Sequence, residues 1–267
     1  MPKLDSTRYT VLFATGVSVA CALLVATAAV GLRSRQEANA LLYKQKNVLL
    51  AASLVTPGER RSTAELQTIF DQRIKVRVVD LQSGQLVPED KFDAKGYDQR
   101  KARNDPAMSR TAAPNDAQIM RLPKYGTVYQ VASPGGQVEQ MVLPIEGMGM
   151  WGTVYGFLAL DRDGNTVRGL TFYEQKETPG LGGEISNPQW QALWVGRKAF
   201  DANWQPQLKV IKGQAGPPAT DPHNVDGLSG ATITSNGITR VVRFWLSPEG
   251  YAPFLKGLRA QSPGAPS

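Results

Sequence analysis

Thr127–Phe172 reads TVYQVASPGGQVEQMVLPIEGMGMWGTVYGFLALDRDGNTVRGLTF, and this stretch decides the fold class. Thr127–Ser133 and Val138–Pro144 flank the turn Pro134-Gly135-Gly136. Thr153–Leu160 and Thr166–Phe172 flank Asp163-Gly164-Asn165. Runs rich in β-branched and aromatic residues, joined through short Gly-containing turns, predict two successive hairpins and hence a mainly antiparallel sheet.

Helical patterns lie on both sides of this block. Upstream, Leu41, Val48, Leu49 and Ala52 predict a helix within residues 36–54. Ser62-x-x-Glu65 reads as a capping box opening a helix with Leu66, Ile69 and Phe70 on one side. Ile74-Lys75-Val76-Arg77-Val78 alternates as a half-buried strand that ends at the Ser83-Gly84 turn. Residues 88–124 are polar and punctuated by proline, which predicts a long surface loop with little regular structure. Downstream, Asn187-Pro188 starts a helix with Trp190, Leu193 and Trp194. The last strong element begins near Thr234 or Ser235, with Ile238, Val241, Val242 and Trp245 on one helical face. Helices, strands, then helices again predict an α+β fold, not a doubly wound parallel sheet.

Thr10–Leu32 contains 23 residues without a charge. At 1.5 Å per residue this crosses a hydrocarbon core of about 30 Å. Ala26-Thr27-Ala28 resembles a cleavage site, but signal-peptide apolar regions are only about 7–15 residues long, so a retained anchor is expected. The organisation expected is therefore a tail at 1–9, a transmembrane helix at 10–32, a helical connector at 33–60, one domain at 61–261 and a flexible tail at 262–267. Arg33, Arg35, Lys44 and Lys46 outweigh Lys3 and Arg8, so flanking charge alone would keep the domain in the cytoplasm.

Composition excludes several classes. With 42% hydrophobic and 20% charged residues the chain is an ordinary globular one. The net charge of +7 is scattered, without a run of five basic residues or a nucleic-acid motif, so no nucleic-acid partner is expected. Cys21, inside the anchor, is the only cysteine, which removes disulfides and thiolate chemistry from the domain. His223 is the only histidine and sits in what reads as an exposed turn, Asp221-Pro222-His223-Asn224. Neither a catalytic side-chain constellation nor a metal site is expected.

Two glycine-rich segments can carry chemistry. Asp226–Ser235, DGLSGATITS, runs straight into the last helix. A helix start offers unpaired N–H groups and the positive dipole end, and Gly230 and Ala231 would let a phosphate approach the backbone. The hydroxyls of Ser229–Ser235 could equally do no more than cap the helix. Glu177–Glu184, ETPGLGGE, makes a turn and a glycine-rich loop able to lie against a flat ligand, or an ordinary turn before the Asn187 helix. Gly147-Met148-Gly149-Met150-Trp151-Gly152 has the Gly-x-Gly-x-x-Gly spacing, but it joins two predicted strands and opens no helix, so it is not the Rossmann fingerprint of a free-standing NADH-oxidising enzyme.

Taken together, PIEGMGMWGTVYGFLALD, TFYEQKETPGLGGEI and DGLSGATITSNG resemble the C subunit of the sodium-translocating NADH:quinone oxidoreductases. The likeness runs in order over most of the chain. A weaker one is to the G subunit of Rnf-type electron-transport complexes, which shares the FMN-binding domain. From another class, a flavin-free membrane-tethered scaffold is opposed by the intact Asp226 and Thr232.

The resemblance implies an electron-transfer subunit, not catalytic alone, of a six-subunit complex in the bacterial inner membrane. It implies FMN joined through its phosphate to Thr232, installed by a separate flavin transferase that also reads Asp226. Ser229, Gly230 and Ala231 would complete the phosphate loop, and Thr234 is the competing hydroxyl. Glu177, Thr178, Leu181 and Gly182 would border the flavin ring, with Trp151 and Tyr155 as aromatic walls. It also puts the domain on the periplasmic side, against the local charge count.

Overall fold

The computed structural model describes residues 6–261, so the tail expected at 262–267 lies outside the described residues. The chain divides into two compact units, Met1–Lys44 and Gln45–Ser267. The first is made by α1, Thr7–Ala51, which runs on into the second unit. Its apolar window has mean hydropathy 2.2 and is wholly exposed, long and apolar enough to cross a membrane. The connector expected at 33–60 is not a separate element. No proline falls between Thr7 and Ala51, and an i,i+4 pair between Arg33 and Glu37 at 3.0 Å bridges the start of the expected connector.

In the second unit the last residues of α1 are buried at Val48, Leu49 and Ala51. α2, Thr63–Arg73, opens with the expected capping box: Glu65 N donates to Ser62 Oγ, and Ser62 N donates to Glu65 Oε2 at 2.7 Å. It feeds β1, Ile74–Asp80. β4 (Tyr125–Ala132), β5 (Val138–Met148), β6 (Thr153–Asp161) and β7 (Val167–Glu174) follow, as the two hairpins predict. The sheet order is β1-β4-β5-β6-β7, antiparallel throughout. β5 continues past Pro144 to Met148, which pairs with Thr153. Pro144 has no N–H to donate, and pairing of β5 with β4 stops shortly before it, at Tyr129↔Val142.

Residues 88–124 depart from expectation. They contain α3 (Gln99–Asn104) and an antiparallel pair, β2 (Ser109–Thr111) with β3 (Arg121–Pro123). Ala102, Ala117, Ile119 and Leu122 are buried. The segment is ordered because it spans the place where β4 and β5 have parted. Gln99 Oε1 accepts from Thr127 N at 2.7 Å on β4, and Arg103 Nη1 donates to Glu146 at 2.7 Å on β5. Asp98 Oδ1 caps α3 through the N–H groups of Arg100 and Lys101.

The C-terminal part begins with a 3-10 turn at Gly182–Ser186 and α4 at Pro188–Ala192. A short parallel pair joins β8 (Lys209–Val210) to β9 (Asn224–Val225). α5 (Thr232–Trp245) and α6 (Ala252–Gln261) complete the chain. His223 is half-buried, not exposed, because its Nδ1 lies 2.8 Å from the Lys198 carbonyl oxygen. The sheet has an apolar layer on each face. Met141, Leu143, Ile145, Val154 and Leu158 pack with Ile238, Val241, Val242 and Trp245 of α5. Tyr129, Val142, Phe157 and Ala159 pack with Val48, Leu49, Ala51 and Phe70.

Candidate functional site

Three non-contiguous segments meet at the N-terminus of α5. α5 starts earlier than expected, at Thr232, with Ala231 as its cap residue and no side-chain capping bond. The hydroxyls of Ser229–Ser235 therefore do not serve as a helix cap. The N–H groups of Thr232, Ile233 and Thr234 have no acceptor among the described residues. Gly230 precedes them at φ +70°, a conformation that L side chains rarely adopt, and a Cβ there would stand 2.9 Å from Leu181 Cδ2.

The two threonines of this turn stand in opposite environments. Thr232 is exposed, and its hydroxyl makes no hydrogen bond among the described residues. Thr234 is 1% exposed, and its Oγ1 donates to Glu177 Oε2. Ser235 is buried, and its Oγ accepts from Leu228 N at 3.3 Å, folding the loop back on the helix. Asp226 anchors the other end of the loop. Its carbonyl accepts from Trp190 Nε1 at 2.9 Å and its Oδ1 from Ala215 N at 3.0 Å.

The second segment brings Glu177 beneath this helix start and leaves Thr178 and Leu181 exposed at the surface. Gly182 is buried against it, where a Cβ would come within 2.5 Å of Thr234 Oγ1. The third is the β5–β6 turn, whose Met150 and Trp151 N–H groups each donate to Glu177 Oε1 at 3.0 Å. Trp151 is 62% exposed, Ile233 57%, Leu181 43% and Met150 40%. These four side chains make an apolar collar on the segments that surround Thr232.

Tyr155 is not part of this group. It points the opposite way along β6 from Val154, which belongs to the layer shared with α5. Its ring is covered by the Arg100 guanidinium at 3.5 Å, and Arg100 pairs with Glu174 at 2.6 Å. Glu146 lies nearby, buried and paired with Arg103. Burial holds its carboxyl above the ordinary value, with Arg103 and Arg100 acting in the opposite direction.

Sequence reasoning missed Met150 and Ile233. Ile233 had a readable signal: it is apolar yet off the Ile238/Val241/Val242/Trp245 face. Met150 had the same signal in another form, an apolar residue beside Trp151 between two glycines.

Residues 149–247, which contain all three segments, match the FMN-binding domain family. The C subunit of the Na(+)-translocating NADH-quinone reductase of Vibrio vulnificus is 45% identical over 261 residues, covering 97% of this chain and 98% of that one. The chain belongs to that C-subunit family. Its Pseudomonas aeruginosa member is 46% identical over 262 residues, again 97% of this chain and 98% of the relative. The crystal structure of Shewanella oneidensis NqrC superposes with a TM-score of 0.73 at 33% identity, over 81% of this chain and 96% of that chain. The family member from Parabacteroides distasonis gives a TM-score of 0.64 at 29% identity, over 84% and 96%.

The geometry fits the phosphate end of FMN. An uncapped helix start offers free N–H groups and a positive dipole end to an anion, and Gly230 keeps the approach open. The exposed apolar side chains beside it suit a flat aromatic ring.

Proposed function

We propose that this chain carries FMN as a phosphoester on Thr232 and thereby serves as an electron-relay subunit of a sodium-translocating NADH-quinone reductase. One observation carries the assignment. Of the two threonine hydroxyls in the first turn of α5, that of Thr232 is exposed and unbonded, while that of Thr234 is buried and held by Glu177.

Joining Thr232 to free FMN would require expelling water, so the donor must be activated, as in an anhydride between FMN and a nucleotide. The Thr232 oxygen would attack the flavin-side phosphorus as the anhydride P–O bond breaks. The nucleotide monophosphate would leave, and the hydroxyl proton would pass to a base of the flavin transferase. Asp226, half-buried at the base of the loop, is the acidic part of what that enzyme reads. Bound FMN supplies the redox centre, and the protein supplies its position and electrostatics. The free N–H groups of α5 hold the phosphate, and Thr178, Leu181 and Trp151 border the ring.

α1 is the single membrane crossing, in the bacterial inner membrane, with the domain on the periplasmic side. The family reading supports that side over the flanking charges, because large domains translocate largely regardless of such charge. The other subunits of the reductase are the partners in the membrane.

The test is to express the chain with a flavin transferase and read in-gel flavin fluorescence after denaturation. Wild type and Thr234→Val fluoresce, while Thr232→Val and Asp226→Ala are dark. Thr232→Val still folds, since the hydroxyl it removes is exposed and neither caps the helix nor makes a hydrogen bond among the described residues. Peptide mass spectrometry finding the adduct on Thr234, or on no threonine of the loop, overturns the assignment.

A further inference from the structure

Glu177 is 4% exposed, and no cation pairs with it among the described residues. A buried carboxylate without a cation is costly unless hydrogen bonds replace its water. Three do so. Met150 N and Trp151 N donate to Oε1 at 3.0 Å each, and Thr234 Oγ1 donates to Oε2. Glycines seal it on two sides, since a Cβ on Gly149 would stand 2.6 Å from Oε1 and one on Gly182 2.8 Å from Oε2.

The three donors come from two segments, the β5–β6 turn and the first turn of α5. Glu177 itself stands on the third, the loop that leads to Leu181. These segments carry Met150, Trp151, Leu181 and Ile233, the exposed apolar side chains around Thr232. A phosphoester fixes only one end of FMN. Between its phosphate and its ring lies a ribityl chain of freely rotating single bonds, so attachment by itself leaves the ring unoriented.

We propose that Glu177 is a positioning residue: its buried carboxylate locks the three segments into one seat that orients the flavin ring, separately from the covalent attachment at Thr232. The inference rests on the Thr232 reading. In place of the ring contact expected of it, Glu177 acts through the backbone of Met150 and Trp151 and through Thr234.

The experiment compares wild type, Glu177→Ala, Glu177→Gln and Thr234→Val, each expressed with a flavin transferase. Mass spectrometry locates the adduct, and visible-region circular dichroism of the bound flavin reports a fixed ring. Glu177→Ala keeps the adduct on Thr232 and loses the flavin dichroism. Glu177→Gln restores it, because the amide oxygen can accept from both N–H groups while its NH2 faces Thr234. Thr234→Val removes one of the three bonds at nearly constant volume and weakens the signal.

Wild-type dichroism in Glu177→Ala overturns the proposal, and so does loss of labelling in a folded Glu177→Ala chain. Should Glu177→Ala fail to fold, wild-type dichroism in Thr234→Val overturns it instead. A wild-type adduct found away from Thr232 sinks the attachment reading, a result distinct from any of these.

Discussion

Gly237 of α5 lies so close to β5 that a Cβ built on it would stand 2.8 Å from the Met148 carbonyl oxygen. The contact fixes the helix that begins at Thr232 against the strand that ends beside Met150. In an exposed helix, replacing glycine by alanine gains up to about 1 kcal/mol. Here the new methyl group meets backbone that cannot rotate away. Gly237→Ala is expected to destabilise the domain by about 1–3 kcal/mol, the usual cost of overpacking. The denaturant midpoint measures it, and an unchanged or raised midpoint would mean that the helix moves freely on the sheet.

The buried carboxyl of Glu146 gives stability a pH signature. Burial raises its value above the ordinary 4.5, so the folded state holds the proton more tightly than the unfolded chain. The resulting stability is fully present below 4.5 and is lost as pH rises through the folded value. Glu146→Gln has no proton to lose. Its stability relative to wild type should therefore increase as pH is raised from about 4 toward neutrality. Thermal melts of both proteins across that range test the trend, and a constant difference would refute it.

Thr178→Ala and Leu181→Ala should each change the absorption spectrum or midpoint potential of the flavin while leaving the adduct on Thr232. Both residues are exposed beside the helix start. Unchanged spectra and potentials in both variants would put the loop away from the ring.

A chain beginning at Arg33 should be soluble and fold, because both apolar clusters draw only on residues from Val48 onward. The full chain should sediment with membranes. A reporter fused after Ser267 should be active only if it functions in the periplasm, and strong activity of a cytoplasm-only reporter would reverse the assigned side.

The parts of the molecule legible in the sequence were those with local causes. Ser62 and Glu65 define a helix start between themselves, and the Pro134-Gly135-Gly136 turn defines a hairpin whatever surrounds it. Gln99, Ala102 and Leu122 carry no such mark. Their segment is ordered by strands that are distant in sequence and part near Pro144, which no local pattern encodes. The site divides in the same way. Its glycine-rich loops could be read directly, but the spacing of Thr232 and Thr234 does not say which faces outward. That depends on Glu177, which lies 57 positions away from Thr234. The resemblance pairs Tyr155 with Trp151 as aromatic walls, yet Trp151 lies in the β5–β6 turn, whereas Tyr155 stands on β6 with its side chain on the face opposite that of Val154.

The side-chain oxygen of Gln99 occupies, at the Thr127 amide, the place of a neighbouring strand. Protection of that amide from solvent exchange is therefore set by the docking of α3, a helix of six residues, and not by unzipping of a ladder. In a hydrogen-exchange experiment Thr127 should belong to the kinetic class of α3 and open before Val128 and Tyr129 beside it. Where β4 and β5 have parted, the sheet can thus breathe without breaking a strand-to-strand bond.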